Sequence, residues 1–250
     1  MVKKIEEKVY KVAIGIPNEG VTRPESYDNH LVLSFHLGAL QERFKHEKRN
    51  PRYEFYWHTV GRLLTPYARE KLTEAALSLE ADFIIQYDDD MILPVDTIEC
   101  MLQDMEQHPE IDILGALAFM RNPPHFPVMY TTTEGYDSQT RQEYYIRELV
   151  KNYPKDTLVE CDAVGFGAAC IRTSILKKMK PPYFMSTAQA GEDVLFCYKA
   201  KKEGARIFMD TRIKLGHLSN PISIDEQYYE KYTKEQGIEI PDVLQKYERN

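Results

Sequence analysis

Three consecutive carboxylates, Asp88, Asp89 and Asp90, follow the short apolar run at residues 83–85. A run of this kind is typical of a buried strand, so the acids are predicted to lie at a strand's carboxyl end, where open α/β sheets bind ligands. The three charges would repel one another unless a cation lay among them, and carboxylate oxygens suit Mg²⁺ or Mn²⁺ bridged to phosphate. The alternative is a solvated acidic turn or a helix cap, since Asp favours both.

Two further places carry residue types that could do chemistry. Glu192 and Asp193 follow Gly191 at the predicted start of a helix. One of them could be a positioned general base that accepts a proton from an attacking hydroxyl, or both could simply cap the helix and complement its dipole. His217 follows the last predicted strand, where it could be a third metal ligand or an ordinary hydrogen-bonded histidine.

Composition limits the classes of function. The chain has 250 residues, 43% of them hydrophobic, which suits one α/β domain or two small ones. Its formal charge of −7 argues against tight nonspecific binding to a nucleic-acid backbone. The local basic stretch at residues 43–52 is interrupted by Glu47 and preceded by Glu42, so it is predicted to be a solvated face.

The sequence also bears on the compartment. Residues 1–10 contain no apolar core of a signal peptide, and no apolar stretch approaches the length of a membrane span. The four cysteines have no CxxC pairing, so free buried thiols in a reducing compartment are expected: Cys100, Cys161, Cys170 and Cys197. The expected location is the cytoplasm.

Strand and helix patterns alternate along the chain. Strands are predicted at residues 12–16, 53–60, 83–87, 111–120 and 207–209, with a strand, glycine turn and strand within 158–171. Helices are predicted at residues 31–44, 67–79, 94–107, 174–179 and 194–203. Residues 18–20 are predicted to form a turn, and the polar, tyrosine-rich residues 131–157 a variable excursion. This order favours one α/β domain with a Rossmann-like, mostly parallel sheet flanked by helices.

Several segments, in this order, resemble the motifs of GT-A-fold glycosyltransferases of the family-2-like, DxD-containing kind. They are residues 16–19 (a shortened P-x-N-E loop), 68–69 (the ARN segment), 84–91 (DxD), 162–172 (DAVGxGxxLIR), 191–196 with 200–204 (the ED motif and its helix), and 216–217 (the late metal-binding histidine). Glu70 stands where the ARN segment has Asn. The resemblance extends from about residue 11 to residue 217, and the agreement in order is more specific than any single motif.

The resemblance implies a GT-A domain over residues 1–218, with residues 219–250 as a lid or an oligomerisation element. It implies metal-dependent transfer of a sugar, hexosyl-like, from a nucleotide-sugar donor to an acceptor hydroxyl, with Mn²⁺ or Mg²⁺ as cofactor and a UDP-sugar as the expected donor. The donor would contact Pro17, Asn18, Glu19, Arg69, Asp88 and Asp89. The metal would be held by Asp88, Asp90 and His217. Asp193 would be the catalytic base, with Glu192 on the acceptor or capping the helix, and this pair favours inversion.

The sequence is also compatible with two other functions. A metal-dependent nucleotidyltransferase also places acids at strand ends, but it usually needs a glycine-rich phosphate loop, which residues 14–18 do not supply. A non-catalytic module that binds cations or sugars is the other possibility. The acceptor could be a glycan, a lipid-linked precursor or, less favoured by the acidic charge, a modified DNA base. Residues 219–250 could instead form an amphipathic helix packed on the domain or on a second subunit.

Overall fold

The computed structural model describes residues 8–18, 20–137, 142–187, 190–219 and 223–239. The helices are α1 (Pro24–His46), α2 (Thr65–Ser78), α3 (Thr97–Gln107), α4 (Thr173–Leu176), α5 (Glu192–Lys202) and α6 (Glu226–Glu235). The first strands are β1 (Val9–Asn18), β2 (Arg52–Gly61), β3 (Phe83–Tyr87), β4 (Met91–Ile92), β5 (Ile113–Leu117), β6 (Met129–Asp137) and β7 (Gln142–Leu149). The later strands are β8 (Leu158–Cys161), β9 (Ala163–Val164), β10 (Ala168–Arg172), β11 (Ile207–Lys214), β12 (Gly216–Leu218) and β13 (Ser223–Ile224).

A seven-stranded sheet in the order β2-β1-β3-β10-β5-β11-β8 forms the centre of the molecule. β2, β1, β3, β5 and β11 run in one direction, while β10 and β8 run against their neighbours. The carboxyl ends of the five co-directional strands therefore share one edge, which is where such sheets bind ligands. The predicted α/β fold with a mostly parallel sheet is confirmed.

Apolar side chains alternate between the two faces of this sheet and create two cores. On one face, Val12 and Ile14 of β1 pack with buried residues of α1 and α3. On the other face, Ala13 of β1 and Ile84 of β3 pack with residues of α2, α4, α5 and α6. Because successive side chains of a strand point to opposite faces, a continuous apolar run can serve both cores at once. The helices thus cover both faces and leave the strand ends open.

Helix boundaries follow the residues that favour them. α1 and α2 begin at or beside a proline, a residue whose fixed φ suits the first helical turn. α5 ends before Gly204, whose φ of +87° lies in the left-handed region that glycine adopts readily. α1 begins seven residues before the predicted start. Its first residues are mostly polar, so the apolar spacing on which the prediction rested does not extend to them.

The structure differs from the sequence predictions in three places. β1 continues through Pro17, where the strand was predicted to stop, and through Asn18, the first residue of the predicted turn; β3 pairs with β1 only as far as Gly15, so the missing N–H of Pro17 breaks no bond to β3. Within the variable excursion predicted at residues 131–157, β6 and β7 pair as antiparallel strands that the sequence pattern did not predict. β11 is longer than the predicted three residues and is followed by a small sheet, β13-β12-β4.

Cys161, Cys170 and Cys197 are buried and Cys100 is half-buried, and all four are free thiols. Among the described residues, no helix has both the length and the apolar character needed to cross a membrane.

Candidate active site

A cavity of about 250 Å³ lies at the carboxyl edge of the central sheet. Eight of the predicted site residues line it: Pro17, Asn18, Arg69, Asp88, Asp89, Asp90, Glu192 and His217. They come from the ends of β1 and β3, from α2, from the start of α5 and from β12. Glu19 lies outside the described residues. The structure therefore brings together side chains that are up to 200 positions apart in the sequence.

Arg69, in the cavity lining, forms hydrogen bonds to both acidic segments. Its side chain is buried, and its Nη2 donates to Asp88 Oδ1 at 2.6 Å while its Nε donates to Glu192 Oε1 at 3.1 Å. Burial alone would lower the pKa of Arg69, but the carboxylates of Asp88 and Glu192 outweigh burial and the net direction is upward. A buried charge is stable only when it is paired and hydrogen-bonded, so this guanidinium fixes the positions of both carboxylates.

A buried amide supports Arg69 in turn. Gln86 of β3 accepts from Arg69 Nη1 at 3.4 Å and donates through Nε2 to the Arg69 carbonyl and to Thr73 Oγ1. The Arg69 guanidinium also lies over the Phe166 ring, 5.3 Å from its centroid. Each of these contacts restricts the rotamer of Arg69, so the position of the Asp88 carboxylate is set by side chains on three elements.

Asp90 and His217 form a second centre on the cavity wall. β12 pairs antiparallel with β4, which places His217 opposite Met91, and the Leu218 N–H donates to the Asp90 carbonyl at 2.8 Å. The Nε2 atom of His217 lies 3.3 Å from Asp90 Oδ2. The small sheet therefore holds the late histidine against the acidic strand end.

The tautomer of His217 follows from its other contact. Nδ1 lies 2.7 Å from the Phe119 carbonyl, which can only accept, so Nδ1 carries the proton. Burial lowers the pKa of His217, which favours the neutral ring with a lone pair on Nε2. That lone pair and the Asp90 carboxylate oxygen are both acceptors, and two acceptors at this separation favour a cation between them.

The donor set suits a divalent metal. A carboxylate oxygen and an imidazole nitrogen whose second nitrogen is hydrogen-bonded to a carbonyl match the ligands of Mn²⁺ and of similar ions. Among the described side chains, however, no group of three or more His, Cys, Asp or Glu converges on one point. Asp88, predicted as a third ligand, has its Oδ1 bonded to Arg69 Nη2. The remaining ligands would have to come from phosphate and water, as is usual for metals that bind nucleotides.

Asp193 lies at the start of α5, next to Glu192 but turned to a different side. Its Oδ1 accepts from the Val194 N–H at 2.7 Å, and Asp193 is not among the described residues that line the cavity. Burial, followed by the neighbouring Glu192 charge, raises the pKa of Asp193 from its ordinary 3.8 to about 6. A carboxyl group with a pKa near the working pH can accept a proton and release it again.

Three residues of the remaining motif segments have structural roles. Glu70, which replaces the expected Asn, accepts from the backbone N–H groups of Tyr183 and Phe184 at 2.7 and 2.9 Å, and so anchors the chain that leads to α5. A Cβ on Gly165 would lie 2.7 Å from Val128 Cβ, so this position of the 162–172 segment needs glycine for close backbone approach. Asp162 accepts from the Thr132 N–H at 2.6 Å, which fixes the start of β6.

Sequence reasoning missed three residues of the cavity wall: Leu63, Thr65 and Arg121. Arg121 is the chemically important one, because its Nη2 donates to Asp90 Oδ2 and adds a positive charge to the wall. It lies just after β5, whose end shares the edge with β3 and β11. The strand-end rule therefore predicts that this loop lies at the site, although it does not identify the arginine itself.

The first described helix after His217 packs against the loop that carries Arg121. The ring of Tyr229 in α6 stacks on Phe119 with centroids 4.9 Å apart, and Tyr228 and Tyr232 contact the His125 ring edge-on. Phe119 is the residue whose carbonyl holds His217. The position of α6 is thus linked through ring contacts to the Asp90 and His217 centre.

No protein-family model matches the chain, and no curated protein sequence matches it. Its structure is similar to that of A197 from STIV, with a TM-score of 0.55 and 16% identity, covering 87% of this chain and 91% of that one. It is also similar to the crystal structure of GalNAc-T7 with UDP, GalNAc and Mn²⁺, with a TM-score of 0.50 and 12% identity, covering 84% of this chain and 43% of that one. The chain therefore spans less than half of the GalNAc-T7 chain.

These similarities, with the sheet order and the ligand cavity at the strand ends, define the fold class. The chain has the GT-A fold, as the resemblance implied. At such low identity the comparisons establish the fold alone, so the activity is argued from the site.

Proposed function

We propose that the protein is a metal-dependent glycosyltransferase that moves a sugar from a nucleotide-sugar donor to an acceptor hydroxyl. The observation that carries the proposal is the pairing of Asp90 Oδ2 with the unprotonated Nε2 of His217 at 3.3 Å, on the wall of a cavity in a GT-A fold. Arg121 donates to the same Asp90 oxygen, so a metal bound there would join or replace this guanidinium, and a diphosphate donor would supply the ligands that the protein lacks. GalNAc-T7 was crystallised with UDP, GalNAc and Mn²⁺, which supports Mn²⁺ and a UDP-sugar as the first candidates.

In this proposal, the residues around the cavity divide the binding of the donor. Pro17 and Asn18 at the end of β1, with Asp88 and Asp89, would contact the nucleoside and its ribose. Asp90 and His217 would hold the metal, which when bound stabilises the negative charge that develops on the leaving diphosphate. Arg121 is at the same wall and would donate to phosphate oxygens.

Asp193 is the proposed general base. An inverting transfer needs one carboxylate to remove the acceptor proton as the hydroxyl attacks the anomeric carbon from the side opposite the leaving group. Asp193 lies beside the donor cavity but outside its wall, which suits a group that meets the acceptor. Its raised pKa increases its basicity. Glu192 would stay ionised against Arg69 and orient the acceptor side of the cavity.

Hydrolysis and transfer with a panel of sugar nucleotides test the proposal. The purified protein is incubated with each UDP-, GDP- and dTDP-sugar, with Mn²⁺, Mg²⁺ or EDTA, and nucleoside diphosphate release is measured. We expect metal-dependent release from at least one donor, because glycosyltransferases commonly leak sugar to water, and we expect its loss in Asp90→Asn. Release of pyrophosphate from a nucleoside triphosphate would point to nucleotidyl transfer. The absence of both donor binding and nucleoside diphosphate release, with every donor tested, would refute the proposal.

The cytoplasmic location, the boundary of the catalytic domain at residue 218 and the lid role of residues 219–250 are kept as parts of this proposal. Glycans and lipid-linked precursors remain the acceptor classes to test first, and a modified DNA base is tested after them. The hairpin of β6 and β7 and the chain around residues 183–187 lie on the acceptor-facing side in this proposal, because they adjoin Asp193 and the start of α5.

A further inference from the structure

α1 is apolar on two opposite faces. Its inner face packs against the central sheet through Leu33, Leu37, Leu40 and Phe44, all of them buried. Its outer face carries four large apolar side chains that are exposed to 56%, 39%, 51% and 76%: Tyr27, Leu31, Val32 and Phe35, respectively. A helix on the surface of a protein normally places polar residues on its outer face, and a helix that is apolar all round is usually buried.

The exposed residues form one stripe. Tyr27, Leu31 and Phe35 are four residues apart, and Val32 lies three residues before Phe35, so all four share one face of α1. Scattered single apolar residues on a surface need no explanation, but a contiguous apolar stripe marks a binding surface. No described residue of α1 lines the active-site cavity, so covering this stripe does not require the cavity to be closed.

The stripe contains one large, highly exposed side chain followed by two positions with a small side chain or none. Phe35 is its most exposed residue, and Gly38 and Ala39 follow it one turn along, both exposed. A Cβ built on Gly38 meets no atom within 4 Å, so the surface there is open. If a second α1 lay antiparallel across this face, Phe35 of each copy would pack over Gly38 and Ala39 of the other. A surface that carries both a large side chain and the small residues that would accept it from a second copy is suited to an isologous two-fold interface.

We infer that the outer face of α1 is a homodimer interface, with the two α1 helices antiparallel about a two-fold axis. The charges at the two ends of the helix favour this orientation. Glu25 and Asp28 are exposed near its start, while Lys45 and His46 are exposed near its end. An antiparallel pair brings the acidic end of one helix to the basic end of the other, whereas a parallel pair would place Asp28 against Asp28.

The same charges argue against a membrane as the partner. Helices that lie on anionic lipid carry Lys and Arg beside the apolar face. Here Asp28 and Glu42 lie next to the stripe, and both are exposed. Asp28 would repel an anionic headgroup layer, whereas a second copy offers it Lys45, whose Nζ lies 2.6 Å from Glu42 Oε1 of its own helix and can donate to both carboxylates.

Sedimentation equilibrium of the full-length protein tests the inference. We expect the wild type to be a dimer at micromolar concentration and Phe35→Ser to raise the dimer Kd by at least about a hundredfold, because each dimer loses two buried aromatic side chains. Tyr67→Ser is the matched control, since Tyr67 is an exposed aromatic residue on α2 outside the stripe, and it should remain dimeric. Thermal unfolding of dilute, monomeric protein should be unchanged in both variants, because neither side chain is buried within the protomer.

Disulfide cross-linking tests the antiparallel arrangement. In a Cys100→Ser background, Asp28→Cys and Lys45→Cys proteins, which both keep Phe35, are each oxidised alone and then as an equimolar mixture. A cross-linked dimer that forms faster in the mixture than in either single variant supports the antiparallel contact of residue 28 with residue 45. A monomeric wild type, a dimer unaffected by Phe35→Ser, or Phe35-dependent flotation of a monomer with vesicles of anionic lipid would each overturn the inference.

Discussion

Replacing Asp193 by Asn should make the protein more stable at neutral pH while removing its transfer activity. The carboxyl of Asp193 has a pKa of about 6 in the folded protein, against an ordinary value of 3.8, because burial and the nearby Glu192 disfavour its charge. Holding this charge in the folded state at pH 7 therefore costs free energy. Asn removes the charge and keeps an oxygen that can accept from the Val194 N–H.

The size and pH range of the effect follow from the shift. A rise from 3.8 to about 6 is about 2 pKa units, or about 3 kcal/mol at 1.36 kcal/mol per unit. Because Asp193 is only partly buried, screening by solvent reduces the expected gain to about 1–2 kcal/mol. The folded protein binds this proton more tightly than the unfolded chain, so the wild type loses stability relative to the variant as pH rises from about 4 to about 6, and the difference is constant above that range.

Urea unfolding of both proteins at pH 4, 5, 6, 7 and 8 measures this difference. Asp225→Asn is the matched control, because Asp225 also accepts from a backbone N–H at a helix start, that of Tyr228, and Asn caps a helix as well as Asp does. A stability gain for Asp193→Asn that is absent at pH 4 and present at pH 7 supports the reasoning; a gain equal at all pH values, or a loss at pH 7, refutes it. Transfer should fall by about 10² to 10⁴ with donor affinity retained, as expected for loss of a general base.

Four further predictions concern the donor site and the tail. Asp90→Asn should abolish Mn²⁺-dependent donor binding in calorimetry without changing the circular dichroism spectrum; unchanged affinity would place the metal elsewhere. Arg121→Gln should raise the donor Kd by about tenfold, as expected for one lost charged hydrogen bond, whereas Arg206→Gln, which removes a surface pairing, should not. Arg69→Met should lower the unfolding free energy by about 2–4 kcal/mol in urea, because two carboxylates lose their buried partner; a neutral effect would contradict the bridging role. Hydrogen exchange in residues 217–232 should slow when donor and Mn²⁺ are added if the tail is a lid, and equal protection in both states would rule the lid out.

The strands that carry the site could be predicted from the sequence because each is a short apolar run ended by polar residues. The acids after residues 83–87 were predicted in this way, whereas Glu192 and Asp193 were singled out as adjacent acids at a helix start and by their resemblance to the ED motif. The structure places Asp88, Asp89, Asp90 and Glu192 in one cavity. For the residues at strand ends this proximity follows from a general rule, since parallel strands end at the same edge.

Contacts that depend on register or on side-chain packing could not be predicted in the same way. The hairpin of β6 and β7 is polar and rich in tyrosine, and it lacks the apolar alternation that identifies a half-buried strand. The position of His217 depends on the pairing of β12 with β4, two strands too short to show a pattern. Arg121 lies in a proline-rich loop, where nothing local indicates that its side chain points to Asp90.

Four of the five acidic residues in the two motifs divide into two pairs, a division that depends on Arg69. Asp88 and Glu192 are both bonded to this buried guanidinium, and because removing either would leave a buried charge underpaired, they hold the two motifs at a fixed separation. Asp90 and Asp193 make no hydrogen bond with Arg69 in the described structure. Asp90 meets Arg121, whose side chain is half exposed and can exchange partners, and Asp193 has a raised pKa that makes its proton exchangeable. The proposed metal ligand and the proposed base are therefore the acids that can change partners, and the other two keep them in place.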